Sequence, residues 1–367
     1  MPNAHITGWG MAVPEPVLTN DDISRMVETN DAWIRERTGI RERRIAREDE
    51  FPSTLGVEAS IKALRVANLR PTDLDLIICT SSSPEYIFPA TACLIQDQLG
   101  ATRAGAFDLL AACTGFIFAM NMAAQAIRSG SIKNALVVGT ETLSRFIDWK
   151  DRSTCILFGD GAGAFVLQAS EQPGGVLSAV MRSDGSGGDS LSLPGGGSRH
   201  PATEATVHEG KHYIQMDGKE VFRFATRVMA SATQEALDAA GLTADDIQWI
   251  VPHQANIRII ESAARGLKLP MDRFVVNIDR YGNTSTASIP IAAVEAVEKG
   301  QIKAGDKLVF VGFGGGLTWG ALAAEWTGPV PSKGHVHPEQ YRWYARLRSL
   351  VRRTIRFIEG LLYRREV

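Results

Sequence analysis

The segment from Ala104 to Met120, AGAFDLLAACTGFIFAM, constrains the fold of this chain more than any other stretch. It begins with a mostly apolar run, Phe107 to Ala112, which predicts a buried β-strand, and the chain then turns at Cys113. From Thr114 onward the apolar residues recur at spacings of three and four, which predicts a helix. A buried strand that turns directly into such a helix requires a sheet covered by helices.

Cys113 lies where the first N–H groups of the predicted helix are unpaired and point outward. The partial positive charge of a helix N-terminus favours a thiolate, which predicts a nucleophilic cysteine. The backbone N–H of Cys113 can also donate to an oxyanion on a carbonyl attached to its own sulfur. A buried cysteine that fills a small core site shows the same local pattern, so other parts of the chain must distinguish the two interpretations.

Length and composition limit the class of protein. The chain has 367 residues, of which 44% are hydrophobic, and this is enough for two domains or one duplicated architecture. A net charge of −2 predicts no general affinity for nucleic acid, and four cysteines without a CxxC pair indicate neither a zinc site nor a disulfide framework. We find no signal-peptide pattern and no apolar run long enough to span a membrane, so we expect a cytoplasmic protein.

Predicted strands and helices alternate along most of the chain, which indicates an α/β fold with largely parallel sheets covered on both faces. Two similar glycine-rich turns, FGDGAG at 158–163 and VGFGGG at 311–316, suggest an internal duplication. We therefore expect two related halves that meet near residue 170, with strand ends facing a shared cleft. A nucleotide-binding loop at 312–316 is rejected, because a strand-like segment follows it rather than a helix.

Two further polar residues stand at strand ends or in turns. His253 follows the predicted strand WIVP in the string PHQAN, and Asn283 lies in the turn YGNTSTAS. Each alone has an ordinary interpretation, as a structural histidine or as a turn former. Together with a turn cysteine they suit thioester chemistry, with a thiolate nucleophile and with imidazole and amide donors to a carbonyl oxygen. Glycine backbone at 314–316 can supply a second oxyanion N–H, because no Cβ blocks a close approach.

The chain resembles the β-ketoacyl-acyl-carrier-protein synthase III family of thiolase-fold condensing enzymes. The matching strings occur in the family's order between about residues 3 and 327: WIRERTGIRER, AACTGF, DRSTCILFGDGAGA, MDGKEVFRFA, VPHQANIRII, YGNTSTASIP and GFGGGLTWG. The resemblance implies a thiolase-like fold with layered α-β-α-β-α architecture and two duplicated βαβαβ-type halves. These halves are residues 1–170, with the nucleophilic cysteine, and 171–327, with the histidine and asparagine.

The resemblance implies a two-stage reaction that initiates fatty acid synthesis. Cys113 takes an acyl group from coenzyme A, and malonyl acyl carrier protein then enters and decarboxylates. His253 and Asn283 donate hydrogen bonds to the thioester oxygen as the enolate develops. The backbone N–H groups of Cys113 and Gly315 receive the oxyanion when the carbanion attacks the acyl-cysteine. No metal or bound organic cofactor is implied, because the departing CO2 drives the condensation.

The resemblance also implies three groups of binding residues and a homodimer. Four residues match positions that contact coenzyme A: Trp33, Arg37, Arg152 and Asn256. Three match basic positions at the channel mouth that can receive the acidic carrier protein: Arg223, Arg258 and Arg265. Phe88 matches a position that closes the acyl pocket from the partner subunit, and its bulk implies an acetyl or short branched primer.

Alternative functions share these residues in part. A specialised relative could start a polyketide or secondary-metabolite chain with the same three side chains and another acyl group. A hydrolase is less favoured, since His253 has no evident carboxylate partner to make it a general base. A non-catalytic subunit that binds carrier protein is disfavoured by the intact Cys113, His253 and Asn283.

The family resemblance ends before the C-terminal segment. Residues 328–340, rich in proline and glycine, predict a linker, and residues 341–367 predict a helix with an apolar stripe beside an arginine-rich face. From Tyr341 onward, eight arginines and two glutamates give a net +6, which leaves −8 for the rest of the −2 chain. Such a helix suits an anionic membrane surface, an acidic partner such as the carrier protein, or packing on the enzyme or its dimer partner.

Overall fold

The computed structural model describes residues 1–330 and 334–363, with side chains described as far as residue 360. The β-strands in these ranges are β1 Asn3–Ala12, β2 Val17–Thr19, β3 Glu42–Arg44, β4 Leu76–Thr80, β5 Gly105–Asp108, β6 Asn134–Glu141, β7 Gly161–Ser170, β8 Gly175–Ser183, β9 Leu191–Ser192, β10 Gln215–Met216, β11 Trp249–Pro252, β12 Lys307–Gly314 and β13 Thr318–Glu325. The α-helices are α1 Asn20–Ser24, α2 Asp31–Thr38, α3 Pro52–Val66, α4 Thr91–Leu99, α5 Gly115–Arg128, α6 Arg152–Cys155, α7 Glu204–His208, α8 Gly218–Ala240, α9 Ile257–Leu267, α10 Ile278–Tyr281, α11 Ser288–Glu298 and α12 Pro338–Tyr363.

Two mixed sheets organise the structure, with strand orders β1-β7-β6-β4-β5 and β11-β12-β13-β8. Strand β4 pairs in parallel with β5 and β6, and β11 pairs in parallel with β12. Strands β7 and β13 run antiparallel to both of their neighbours. The prediction of largely parallel sheets is therefore wrong. Residues 315–317 join β12 to β13 directly, and so short a connection cannot make the crossover that parallel pairing requires.

Helices form three layers around these two sheets. Helices α3 and α4 cover the outer face of the first sheet, and α8 and α9 cover the outer face of the second. Helices α5 and α11 lie between the sheets, and α5 contacts strands of both. The α-β-α-β-α architecture predicted from the resemblance is thereby confirmed. The first sheet draws on residues 3–170 and the second on residues 175–325, whereas the domain boundaries themselves stay a prediction.

Aromatic rings hold the central layer to both sheets. The Phe165 ring of β7 lies 5.1 Å from that of Phe116 on α5 and 5.8 Å from that of Phe310 on β12. Trp326, which follows β13, packs edge-on against the same ring at 5.5 Å. Aromatic pairs at these separations add about 1 kcal/mol each beyond their buried area. This core fixes the N-terminus of α5, where Cys113 lies, relative to the second sheet.

The strand before Cys113 is an edge strand, which corrects the prediction that Phe107 to Ala112 forms a buried strand. It spans Gly105–Asp108, it is the last strand of its sheet, and Phe107 is 42% exposed. A sequence run shows that a strand is apolar, but it does not show whether another strand of the same chain covers its outer edge.

The C-terminal helix α12 begins at Pro338, three residues before the predicted start at Tyr341. Residues 331–333 of the predicted linker and residues 364–367 of the predicted helix lie outside the described residues. In the part of the chain that the structure describes, no helix combines the length and the apolar character needed to cross a membrane.

Candidate active site

Cys113, His253 and Asn283 line one cavity, whose volume is about 540 Å³ when the part open to solvent is included. All three side chains are buried. Cys113 lies in a 3₁₀ turn, residues 112–114, between β5 and α5, and His253 directly follows β11. Asn283 lies in the turn that leads through a second 3₁₀ segment, residues 285–287, into α11. The structure therefore brings Cys113 together with two residues that lie 140 and 170 positions later in the sequence.

The turn that presents Cys113 is held in an uncommon backbone conformation. Ala112 has φ 46°, which non-glycine residues adopt only when their surroundings enforce it. The Thr114 hydroxyl donates to the Ala111 carbonyl at 2.6 Å and so closes the turn. A Cβ on Gly314 would lie 2.7 Å from the Cys113 nitrogen, so this residue of β12 must be glycine for the two halves to meet here.

Burial dominates the electrostatics of Cys113. The Ser285 hydroxyl donates a hydrogen bond to its sulfur at 3.3 Å, which favours the thiolate. Burial acts in the opposite direction and raises the pKa of the Cys113 thiol to about 12. Burial therefore opposes the effect predicted for the helix terminus, and we expect Cys113 to be a thiol in the unliganded site. The cysteine stands at the predicted position, and the thiolate stays a prediction for the stage at which substrate is bound.

The His253 imidazole is neutral and is held by a hydroxyl. Its Nδ1 lies 2.7 Å from Ser288 Oγ, and the backbone N–H of Gln254 donates to the same oxygen at 3.3 Å. Burial lowers the pKa of His253 to about 3. The Phe313 ring packs against the imidazole in a T-shaped arrangement, with the two ring centroids 5.3 Å apart. A neutral imidazole in this setting can donate from Nε2 to a carbonyl oxygen but is a poor proton acceptor.

Asn283 is fixed through both its backbone and its side chain. Its N–H donates to the Leu157 carbonyl at 2.8 Å, and its own carbonyl accepts from the Gly159 N–H at 3.0 Å. The side-chain Oδ1 accepts from the Ser285 N–H at 2.8 Å. Because the acceptor end of the amide is engaged, the Nδ2 group is the end that can donate to a ligand in the cavity.

Sequence reasoning missed a buried carboxyl group behind Cys113. Glu141, the last residue of β6, accepts from the Ser82 N–H at 3.0 Å and from the Ser83 hydroxyl at 2.5 Å. Burial raises the pKa of Glu141 to about 7, although hydrogen bonds from Ser83 and Ser82 act to lower it. Besides burial, the charge of this carboxyl group in turn raises the pKa of Cys113. The available signal was an acidic residue at the end of an otherwise apolar strand.

The glycine turn at the end of β12 contains the residues predicted to supply the second oxyanion N–H. Among its glycines, Gly314 lines the cavity and approaches the backbone of Cys113. A Cβ on Gly315 would lie 2.9 Å from the Leu191 carbonyl oxygen, and the Gly315 carbonyl accepts from the Thr318 hydroxyl at 3.2 Å. The assignment of the second oxyanion N–H to Gly315 stays a prediction.

The predicted coenzyme A contacts form a cluster on α2 and its neighbours. The guanidinium carbons of Arg37 and Arg152 lie 4.7 and 4.9 Å from the centroid of the Trp33 ring. A flat base that stacks on this indole would replace one of these two cation–π contacts. Asn256 lines the cavity and donates to the Arg37 carbonyl at 2.9 Å, so it links the cavity to this cluster.

The three predicted docking arginines are exposed on neighbouring helices. Arg223 is on α8, and Arg258 and Arg265 lie two turns apart on α9. Arg258 lies 5.5 Å from the centroid of the Phe222 ring, which lines the cavity, so this basic surface borders the cavity mouth.

Phe88 does not line the cavity of its own chain. It is 84% exposed in the loop before α4, beside the exposed Tyr86 and Ile87. Within the described residues, no group of three or more His, Cys, Asp or Glu side chains is arranged to hold a metal ion.

Two family descriptions match the sequence. "3-Oxoacyl-[acyl-carrier-protein (ACP)] synthase III" matches residues 107–185, and its C-terminal counterpart matches residues 237–326. The chain is 52% identical to the β-ketoacyl-[acyl-carrier-protein] synthase III of Roseiflexus sp. (strain RS-1) over 324 residues, which cover 88% of this chain and 98% of that protein. It is 54% identical to the protein of the same name from Symbiobacterium thermophilum, over 88% of this chain and 97% of the relative.

Solved structures agree with these sequence matches. The crystal structure of 3-oxoacyl-[acyl-carrier-protein] synthase III from Aquifex aeolicus VF5 superimposes with a TM-score of 0.81 at 46% identity, over 88% of this chain and 99% of that one. The priming β-ketosynthase of the R1128 polyketide pathway gives 0.83 at 37% identity, over 89% and 97%.

Proposed function

The chain belongs to the β-ketoacyl-acyl-carrier-protein synthase III family, and from this membership we propose how its cavity carries out the condensation that initiates fatty acid synthesis. The protein is an acyltransferase-type condensing enzyme. The observation that carries the proposed mechanism is the convergence of Cys113, His253 and Asn283 on one buried cavity.

In the first stage, the sulfur of Cys113 attacks the carbonyl carbon of an acyl-coenzyme A. The new bond joins this carbon to the cysteine sulfur, and the bond to the coenzyme A sulfur breaks. Because the thiol has a pKa of about 12, its proton leaves as the carbon–sulfur bond forms and ends on the departing coenzyme A thiolate. Backbone N–H groups of Cys113 and the glycine turn receive the negative charge on the carbonyl oxygen.

In the second stage, malonyl carrier protein occupies the cavity. Nε2–H of His253 and Nδ2–H of Asn283 donate to the malonyl thioester oxygen while the bond to the carboxylate breaks and CO2 leaves. The electron pair of that bond forms the enolate, whose carbon attacks the acyl-Cys113 carbonyl. This attack expels the cysteine thiolate, which takes up a proton from solvent to restore the thiol. The departing CO2 makes the condensation favourable, so this mechanism requires neither a metal nor an organic cofactor.

The two substrates approach from neighbouring surfaces. We assign coenzyme A to the Trp33 cluster, with Asn256 between that cluster and the cavity. We assign the acidic carrier protein to the basic surface of α8 and α9. Because both assigned substrates are soluble thioesters, we propose that the enzyme works in the cytoplasm and exchanges them through one cavity.

An exposed apolar patch supports a homodimer. Four exposed residues border the outer edge of β5 or the loop before α4: Ile87, Phe88, Phe107 and Leu110. Contiguous apolar surface of this kind marks an interaction site, and an edge strand offers backbone groups to a second copy. In the proposed dimer, Phe88 enters the cavity of the partner subunit and limits the primer to acetyl or a short branched acyl group.

Priming of a polyketide chain is the second candidate, favoured by the likeness to the R1128 enzyme. That likeness is weaker in sequence, at 37% identity, than the 52 and 54% to the Roseiflexus and Symbiobacterium relatives. Fatty acid initiation therefore remains the preferred function.

The test separates the two stages. Acylation is followed by the mass of the intact protein after incubation with acetyl-coenzyme A, and decarboxylation by CO2 release from malonyl carrier protein. Cys113→Ala should abolish acylation and retain decarboxylation, whereas His253→Ala and Asn283→Ala should retain acylation and lose decarboxylation. An Asn283→Ala enzyme that condenses at the wild-type rate would contradict the mechanism.

A further inference from the structure

Helix α12, which lies beyond the residues that match the family, packs on the enzyme through one face. At the centre of this contact face, Ala345 is 3% exposed and packs against Gly100, the residue after α4. Ser349 donates to the Asp97 carboxylate at 2.9 Å, and Arg348 lies 3.8 Å from the same group. Glu339 forms an ion pair with Arg65 of α3. This contact face consists mainly of small and polar side chains. The large apolar residues of the helix therefore lie on its other faces.

The opposite face of α12 carries an apolar stripe that points away from the enzyme. At 100° per residue, its members lie about 80° or more from Ala345. All of them are exposed: Trp343, Tyr344, Leu347, Leu350, Val351, Ile355, Phe357 and Ile358. Within the described residues nothing covers this stripe, and contiguous apolar surface of this extent marks an interaction site.

Arginines accompany the stripe along the whole helix. The described part carries six: Arg342, Arg346, Arg348, Arg352, Arg353 and Arg356. Beyond Leu350 the helix extends past its contact with α4, and Arg352, Arg353 and Arg356 are exposed. The segment from Tyr341 onward has a net charge of +6, whereas the rest of the chain has −8.

We propose that α12 binds an anionic lipid surface, with the apolar stripe inserted among the lipid chains and the arginines at the headgroups. An exposed apolar stripe, a basic polar face and aromatic residues near one end are the features of helices that lie in a membrane interface. The opposite charges of the helix and the rest of the chain orient the enzyme, because an anionic surface attracts α12 and repels the remainder.

The position of α12 distinguishes a lipid surface from the carrier protein. The helix contacts Gly100 and Asp97, which precede the N-terminal end of β5, whereas Cys113 follows its C-terminal end. A carrier protein bound to α12 would therefore lie at the N-terminal end of β5, whereas the catalytic cysteine lies beyond its C-terminal end. A carrier that delivers malonate must reach the cavity mouth, which Arg258 borders.

Co-sedimentation of the full-length protein with vesicles tests the proposal. One set of vesicles contains phosphatidylcholine alone, and the other contains phosphatidylcholine with phosphatidylglycerol. The test variant is Leu347→Glu/Phe357→Glu, and the matched control is Val207→Glu, which alters an exposed apolar residue of α7. We expect wild type and control to bind the anionic vesicles at least tenfold more than the neutral ones, and to be released at 1 M salt. The test variant should lose at least tenfold in binding while its acylation by acetyl-coenzyme A is unchanged.

Other occupants of the stripe give different results. Equal vesicle binding by wild type and the Leu347→Glu/Phe357→Glu variant overturns the proposal. If wild type does not bind vesicles and the variant has a lower molecular mass than wild type in analytical ultracentrifugation, the stripe contacts a second copy of the chain. This result also overturns the proposal. Retention of wild type but not the variant on immobilised malonyl carrier protein, without vesicle binding, assigns it to the carrier. Vesicle binding and acylation are measured separately, so a wild-type protein that binds anionic vesicles but is not acylated by acetyl-coenzyme A supports the lipid proposal and contradicts the proposed condensation.

Discussion

Ser288 Oγ lies 2.7 Å from Nδ1 of His253, and it accepts a hydrogen bond from the Gln254 N–H at 3.3 Å. With that backbone donor in place, the serine hydrogen can be donated to Nδ1, which places the proton of the neutral imidazole on Nε2. This is the tautomer that a donor to the thioester oxygen requires. We therefore expect Ser288 to act through His253 as a positioning residue.

Ser288→Ala should slow decarboxylation of malonyl carrier protein by roughly tenfold, the worth of one well-placed hydrogen bond. Acylation of Cys113 by acetyl-coenzyme A should change little, since Ser288 acts on the imidazole and not on the sulfur. CO2 release and intact-protein mass measure the two steps separately. Ser288→Thr, which keeps the hydroxyl, is the control and should restore decarboxylation. An equal loss in both steps would indicate a purely structural role.

The lowered pKa of His253 predicts a loss of stability in acid. The folded protein holds this ring neutral down to about pH 3, whereas the unfolded chain protonates it below about 6.5. The unfolded state therefore binds the extra proton below about pH 6.5. The contribution of His253 to the free energy of unfolding is present above about pH 6.5 and is lost as the pH falls towards 3. Between pH 7 and 5 the wild type should lose roughly 2 kcal/mol more free energy of unfolding than His253→Gln. Urea denaturation of both proteins at the two pH values measures the difference, and equal losses in the two proteins would contradict the lowered pKa of His253.

The hydrogen bond from Ser285 to Cys113 opposes the rise that burial causes in the pKa of the thiol. Ser285→Ala should raise this pKa further and slow acylation by roughly tenfold. The pH dependence of alkylation by iodoacetamide reports the thiol directly and should move to higher pH. Ser83→Ala is the matched control, because Ser83 donates to Glu141 but not to the sulfur. A similar shift in both variants would assign the effect to Glu141 instead.

Phe88 should set the length of the primer only when two subunits are paired. Phe88→Ala should raise the rate of acylation by octanoyl-coenzyme A relative to acetyl-coenzyme A by tenfold or more, because a small residue would lengthen the partner's pocket. Leu110→Glu, which introduces a charge into the exposed patch, should yield a monomer in analytical ultracentrifugation. Efficient acylation of wild type by dodecanoyl-coenzyme A would contradict the role given to Phe88.

The sequence revealed the three catalytic candidates because their chemistry depends on residue type and on distinctive neighbours. The proposed nucleophile at position 113 depends on the thiol of a cysteine. The strings around His253 and Asn283 are specific enough to predict that these two residues lie near Cys113. The supporting residues carry no such mark. Ser285 and Ser288 are ordinary residues near the start of α11, and they matter because folding places them beside a cysteine 172 positions away and a histidine 35 positions away.

Solvent exposure accounts for most of the remaining differences between the predictions from sequence and the structure. The apolar composition of Phe107 to Ala112 predicts burial, but the position of β5 at the sheet edge leaves Phe107 partly exposed. A helix N-terminus predicts a thiolate at Cys113, but desolvation by the surrounding protein outweighs it. Both outcomes depend on which segments cover a residue, and local sequence does not specify those segments.

The sequence by itself determined the α/β class and the amphipathic pattern of α12 through periodicity, and the layered architecture and the three candidate catalytic residues through its resemblance to a family. Only the tertiary structure decided that burial raises the pKa of the thiol, that hydroxyl groups hold the imidazole and the sulfur, and that α12 turns its polar face inward. The physical reason is that burial and hydrogen bonding are properties of contacts between distant segments. The contact of Ala345 with Gly100, 245 positions earlier, is what leaves the apolar stripe facing outward.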